Sequence, residues 1–128
     1  MSKCYLTIVT SADGRESKVS REGEIFVTDD RVEIRYEEET AKSSVSFENG
    51  TVYIDRRGDY SLHLRLKKGE TLAGTLEIGD SVGEVFTKTT RLQYVINDDS
   101  VLFVLRYELL TQGGEPQKMK IRIFAKEV

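Results

Sequence analysis

Val101-Leu102-Phe103-Val104-Leu105-Arg106-Tyr107-Glu108-Leu109-Leu110 is the most apolar run of the chain. At period two, Val101, Phe103, Leu105, Tyr107 and Leu109 share one face, and Leu102, Val104, Arg106, Glu108 and Leu110 share the other. β-Branched and aromatic residues dominate, as suits a pleated, buried surface. Turn clusters bound the run on both sides: Asn97-Asp98-Asp99-Ser100 before it and Gly113-Gly114-Glu115-Pro116 after it. Arg106 and Glu108 interrupt any stripe at helical spacing. The run therefore reads as a central strand onto which its neighbours can be registered.

Working outward, the turn at Asp98-Asp99 pairs Ile96 with Val101, Tyr94 with Phe103 and Leu92 with Leu105. On the other side, a loop centred on Gly113 pairs Tyr107 with Met119, Leu105 with Ile121 and Phe103 with Ile123. The same arithmetic holds further away. Asp29-Asp30 pairs Val27 with Val32, Ile25 with Ile34 and Gly23 with Tyr36. Asn49-Gly50, a strong hairpin dipeptide, pairs Phe47 with Val52 and Val45 with Ile54. Lys68-Gly69-Glu70 pairs Leu66 with Leu72, Leu64 with Gly74 and Leu62 with Leu76. The stretch Ile78–Gly83 resists registration, and a long strand over Glu84–Ile96 carries a bulge near Thr89-Thr90. Cys4, Leu6 and Ile8 share a face of a first strand over Lys3–Thr10.

A one-residue slip would send a strand's apolar set to the wrong face. From Ile25 to Ala125 every registered hairpin keeps it on one side, and no helical stripe interrupts the series. Nine or ten strands exceed what a flat twisted sheet holds, and closure removes exposed edges. The expected fold is all-β: an antiparallel up-and-down, calycin- or lipocalin-like β-barrel of about 8–10 strands, fully closed or a strongly curled half-barrel.

The chain has 128 residues, 38% hydrophobic and 32% charged, without tryptophan. That fits one domain over residues 1–128 with a core large enough to need no staples. A net charge of −3 gives no basic footprint for nucleic acid. Cys4 is the only cysteine, so no internal disulfide forms. Met1-Ser2-Lys3 leads straight into strand pattern, and no run is long enough to span a bilayer as a helix. A cytoplasmic protein without membrane partners is expected.

The chain resembles the YwiB-like family of uncharacterised bacterial proteins. The residues that carry the resemblance are Glu22-Gly23-Glu24-Ile25 with Tyr36-Glu37-Glu38, Gly58 through Gly69, Thr87–Leu92, Leu105–Glu108 and Met119-Lys120-Ile121-Arg122-Ile123. The resemblance implies a calycin-like barrel and brings no activity with it.

No catalytic constellation emerges. The one histidine, His63, falls on the outer face beside Arg65, with no serine or cysteine nucleophile in register. The aspartate pairs sit where two-residue turns need them, and no calcium-loop pattern surrounds them. An enzyme is therefore disfavoured, and no metal or cofactor is expected.

Two binding readings are expected instead. A small apolar or amphipathic ligand would enter the barrel, oriented by inward Tyr36, Arg56 and Tyr107, with Gly74, Ser43 and Thr51 leaving room. Alternatively, the core is filled and the chain is a structural or protein-interaction module. On the outer face, Leu102 lies beside Val95 and Phe124, with Val104 one step along. A strand facing water should be polar there. Three explanations stand: the first strand, through Tyr5, Thr7 and Val9, folds across the patch; a second copy covers it in a homodimer, the favoured account; or an unlike partner does.

Overall fold

The computed structural model describes residues 2–128. Among the described residues, ten strands follow one another with no helix: β1 (Ser2–Ala12), β2 (Arg15–Val27), β3 (Arg31–Glu37), β4 (Ala41–Glu48), β5 (Thr51–Gly58), β6 (Tyr60–Lys67), β7 (Thr71–Ile78), β8 (Ser81–Ile96), β9 (Ser100–Thr111) and β10 (Gln117–Glu127). Each pairs antiparallel with its sequence neighbours, and β1 pairs with β10, so the meander closes into a barrel. No helix among the described residues is long and apolar enough to cross a membrane. The side chains turned inward are mostly apolar and many of those turned outward are charged, the reverse of a membrane-spanning barrel.

The expected registers of β9 with β8 and β10, of β2 with β3 and of β4 with β5 are all present. Local chemistry explains this. Asn49 and Gly50 take φ of 52° and 78°, the left-handed pair that a primed two-residue turn requires. The bulge falls at Thr90, between Thr89 and Arg91. The stretch that resisted registration is a tight turn at Gly79-Asp80, closed by Ile78 opposite Ser81, so β8 begins three residues earlier than expected.

One hairpin departs from expectation. The β6–β7 ladder joins Tyr60–His63 to Thr75–Ile78 and stops there. A Cβ on Gly74 would overlap the His63 carbonyl oxygen, so β6 backbone occupies the side where a side chain would stand. The sheet turns a corner at this glycine. Past the corner, Arg65 donates from Nε and Nη2 to the Ala73 carbonyl, and Thr87 donates to the Arg65 carbonyl. Gly23 serves a second corner, where the Arg35 carbonyl and a Leu6 methyl leave no space for a side chain.

The core is densest where the β2–β3, β4–β5, β6–β7 and β8–β9 turns gather. Leu6, Ile34, Val52, Leu66, Val101 and Phe103 are there wholly buried. The Phe47 ring from one wall meets Phe103 and Tyr94 from the other, at centroid distances of 5.9 and 4.5 Å. This contact across the lumen closes that end of the barrel.

Candidate functional site

The opposite end is more open. Ile8, Leu62, Leu76, Leu109, Met119 and Ile121 point inward yet are only partly buried. Two groups of polar side chains stand among them. Register puts Tyr36, Ser43 and Arg56 in one inner row across β3, β4 and β5. Burial, and then the nearby Glu38 carboxylate, push the Tyr36 hydroxyl above its ordinary range, while its hydrogen bond with Ser43 opposes this.

Arg56 is fully engaged at the rim. Its Nη1 donates to the Tyr60 carbonyl at 2.6 Å, Nη2 to Asp59 at 2.8 Å, and Nε lies 3.8 Å from Glu38. Its Cζ stacks 3.7 Å from the Tyr60 ring centre. The guanidinium holds the Asp59 carboxyl below the usual carboxylate range. These contacts tie the β3–β4 and β5–β6 turns together.

Tyr107 belongs to the facing wall, between Thr89 and Met119 in register. Burial raises its hydroxyl far above the ordinary tyrosine value. Its neighbour Thr89 has a buried hydroxyl that finds no partner among the described residues. Thr87 and Thr89 are the inward polar groups that the sequence reading missed. Their signal was present, since Val85, Thr87 and Thr89 alternate at period two. Gly74 leaves no room in the lumen because β6 backbone fills that space. Thr51, taken as inward, pairs with Glu48 and Lys67 and so belongs to the outward set. Burial raises the Cys4 thiol above its usual range, which leaves it in the unreactive protonated form. His63 Nδ1 donates to Asp55 Oδ1 at 2.7 Å on the outer wall.

The second candidate lies outside the barrel. Val95 is 53% exposed and Phe124 41%, with half-buried Leu102 and Val104 between and beside them. A shallow cavity of about 440 Å³ opens along Gln93, Tyr94, Val95, Leu102 and Val104. The first strand does not cover this patch, which removes one of the three explanations. β1 is itself a stave of the barrel, with Thr7 beside Phe124, so Tyr5, Thr7 and Val9 extend the wall sideways. Beside the patch, Arg91–Ile96 of β8 pairs with β9 alone, because the β7 ladder ends at Lys88. One side of that backbone is an open sheet edge.

A family model described as "Domain of unknown function (DUF1934)" matches residues 6–123. Among solved structures, the chain is similar to the ywiB protein from Bacillus subtilis, with a TM-score of 0.77 at 17% identity. The match covers 98% of this chain and 90% of that one. No curated protein matches.

Proposed function

The chain belongs to the DUF1934 family, a domain of unknown function, and we propose that it is a protein-interaction module acting through the outer wall of β8, β9 and β10. Its first partner is a second copy of itself. The observation that carries this is the apolar patch of Val95, Leu102, Val104 and Phe124 lying beside the open edge Arg91–Ile96. An exposed apolar edge strand is a template for another strand, and proteins ordinarily blunt such edges with charge, proline or a bulge. Here the bulge at Thr90 ends before the apolar segment Leu92–Ile96 begins. Antiparallel pairing about a two-fold axis would satisfy both edges at once and bury both patches.

Sedimentation velocity tests this. Wild type should sediment as a dimer at high micromolar concentration. Leu102→Glu with Phe124→Lys should give a folded monomer with an unchanged β circular-dichroism spectrum. A monomeric wild type at that concentration refutes self-association.

A second reading keeps the small apolar or amphipathic ligand. It is favoured by the unpartnered hydroxyl of Thr89, beside Tyr107, beneath the more open end. A thermal-shift screen with fatty acids, small aromatics and isoprenoids checks it, since a ligand of the native state raises the melting temperature by mass action. No shift across the panel removes that reading. A cytoplasmic setting fits the one cysteine, a buried free thiol.

A further inference from the structure

The outward side chains of β10 are Lys118, Lys120, Arg122, Phe124 and Lys126. Four cations on one strand face would ordinarily be interleaved with carboxylates on the neighbours. Instead, Arg91 of β8 lies directly opposite Arg106 of β9, which lies directly opposite Lys120. Like charges directly opposite each other destabilise a sheet. Glu16, Glu22 and Glu108 share rows with these residues, but none forms an ion pair with them. Every ion pair among the described residues lies between Arg31 and Glu70, on the other side of the barrel. A groove of about 190 Å³ runs between Arg91, Arg106, Lys120 and Arg122, with Glu16 the one carboxylate in its lining. A chain with a net charge of −3 has thus segregated unpaired cations onto one wall.

We propose that this wall binds single-stranded nucleic acid, with phosphates along the β10 cations and bases on Phe124 and Tyr5. Three features choose this ligand. From Lys118 to Lys126 the cations extend roughly 27 Å at about 3.4 Å per residue, a strip suited to a chain of phosphates rather than one anion. Phe124 and Tyr5, 41% and 52% exposed, are diagonal neighbours on β10 and β1. Exposed aromatic rings beside a cationic track are the stacking platform that single strands use. Among the described residues, the barrel wall has no projecting helix or two-stranded ribbon to enter a duplex major groove. The expectation against nucleic acid rested on total charge, which says nothing of how strand register sorts that charge among faces.

Because Phe124 also belongs to the self-association patch, a single strand competes with the second copy for it and binds the monomer. The proposal is tested with substitutions that leave Val95, Leu102, Val104 and Phe124 in place. Fluorescence anisotropy of the full chain with a labelled oligouridylate of about a dozen nucleotides should show saturable binding that weakens with salt. Four phosphate contacts give a slope of about −3 in log affinity against log salt. Arg106→Glu with Lys120→Glu should weaken binding at least ~10-fold and flatten the slope by about 1.4. Arg106→Glu alone, which sets a carboxylate between Arg91 and Lys120, should weaken binding without lowering the melting temperature, because it relieves the like-charge row; a purely structural role would lower it. Lys42→Glu with Arg57→Glu, on the β4–β5 wall, should leave affinity unchanged. The proposal falls if no binding appears at high micromolar protein in low salt, or if the control pair weakens it equally. Binding to vesicles of anionic phospholipid with none to the oligonucleotide also overturns it, and assigns the wall to membrane surfaces.

Discussion

Phe103→Ala should be among the most damaging single changes in this barrel. Phe103 is wholly buried, lies between Tyr94 and Ile123 in register, and meets the Phe47 ring from the opposite wall. Losing the ring forfeits about 2 kcal/mol of transfer free energy. If roughly 80 Å³ stays empty, the cavity adds about 2 kcal/mol at ~24 cal/mol per Å³. The aromatic contact with Phe47 contributes about 0.5–1 kcal/mol more. The total, about 4–5 kcal/mol, is a large share of the ~5–15 kcal/mol that stabilises an ordinary domain. With no tryptophan in the chain, urea unfolding is best followed by far-ultraviolet circular dichroism. Phe124→Ala is the control: the same side chain one strand away, 41% exposed on the outer wall, should cost only about 1 kcal/mol. A Phe103→Ala loss under about 1 kcal/mol, or equal losses at the two positions, would refute the assignment of inner and outer faces.

Gly74→Ala should cost about 1–3 kcal/mol or more, because its methyl meets the His63 carbonyl at a barrel corner; unchanged stability in urea would mean that the corner is open. Gly50→Ala should cost about 1–2 kcal/mol through its φ of 78°, with sedimentation unchanged from wild type. Tyr107→Phe should be near neutral at pH 7, since the buried ring stays in place. Wild-type Tyr107 has a folded pKa raised above its unfolded value of 10.0. Its neutral form is thus favoured by folding, and that stability is present below about pH 10 and lost as pH rises beyond it. Tyr107→Phe should therefore flatten the alkaline fall in stability above about pH 10, and a fall as steep as that of wild type would show that Tyr107 ionises without penalty.

Strand parity was legible in the sequence because it is decided locally. The alternation of apolar residues and the turn chemistry at Asp29-Asp30, Asn49-Gly50 and Asp98-Asp99 act over a few residues, and they fix which side chains face in. The inward placement of Tyr36 and Arg56, and the outward placement of Val95, Leu102, Val104 and Phe124, follow from that parity alone. Their partners do not. Arg56 is held by groups on two turns, and Phe47 meets Phe103 and Tyr94 across the lumen, so these contacts depend on how sharply the sheet curls. The corners at Gly23 and Gly74 set that curl through the approach of neighbouring backbone, which no pattern of side chains encodes. Closure belongs to the same class. Joining β1 to β10 closes a loop of nearly the whole chain, as the register of Thr7 with Phe124 shows, so no local signal specifies it. The charged wall is the last case. Arg91, Arg106 and Lys120 are scattered in sequence, and only the ladders that join β8, β9 and β10 bring their like charges into one row.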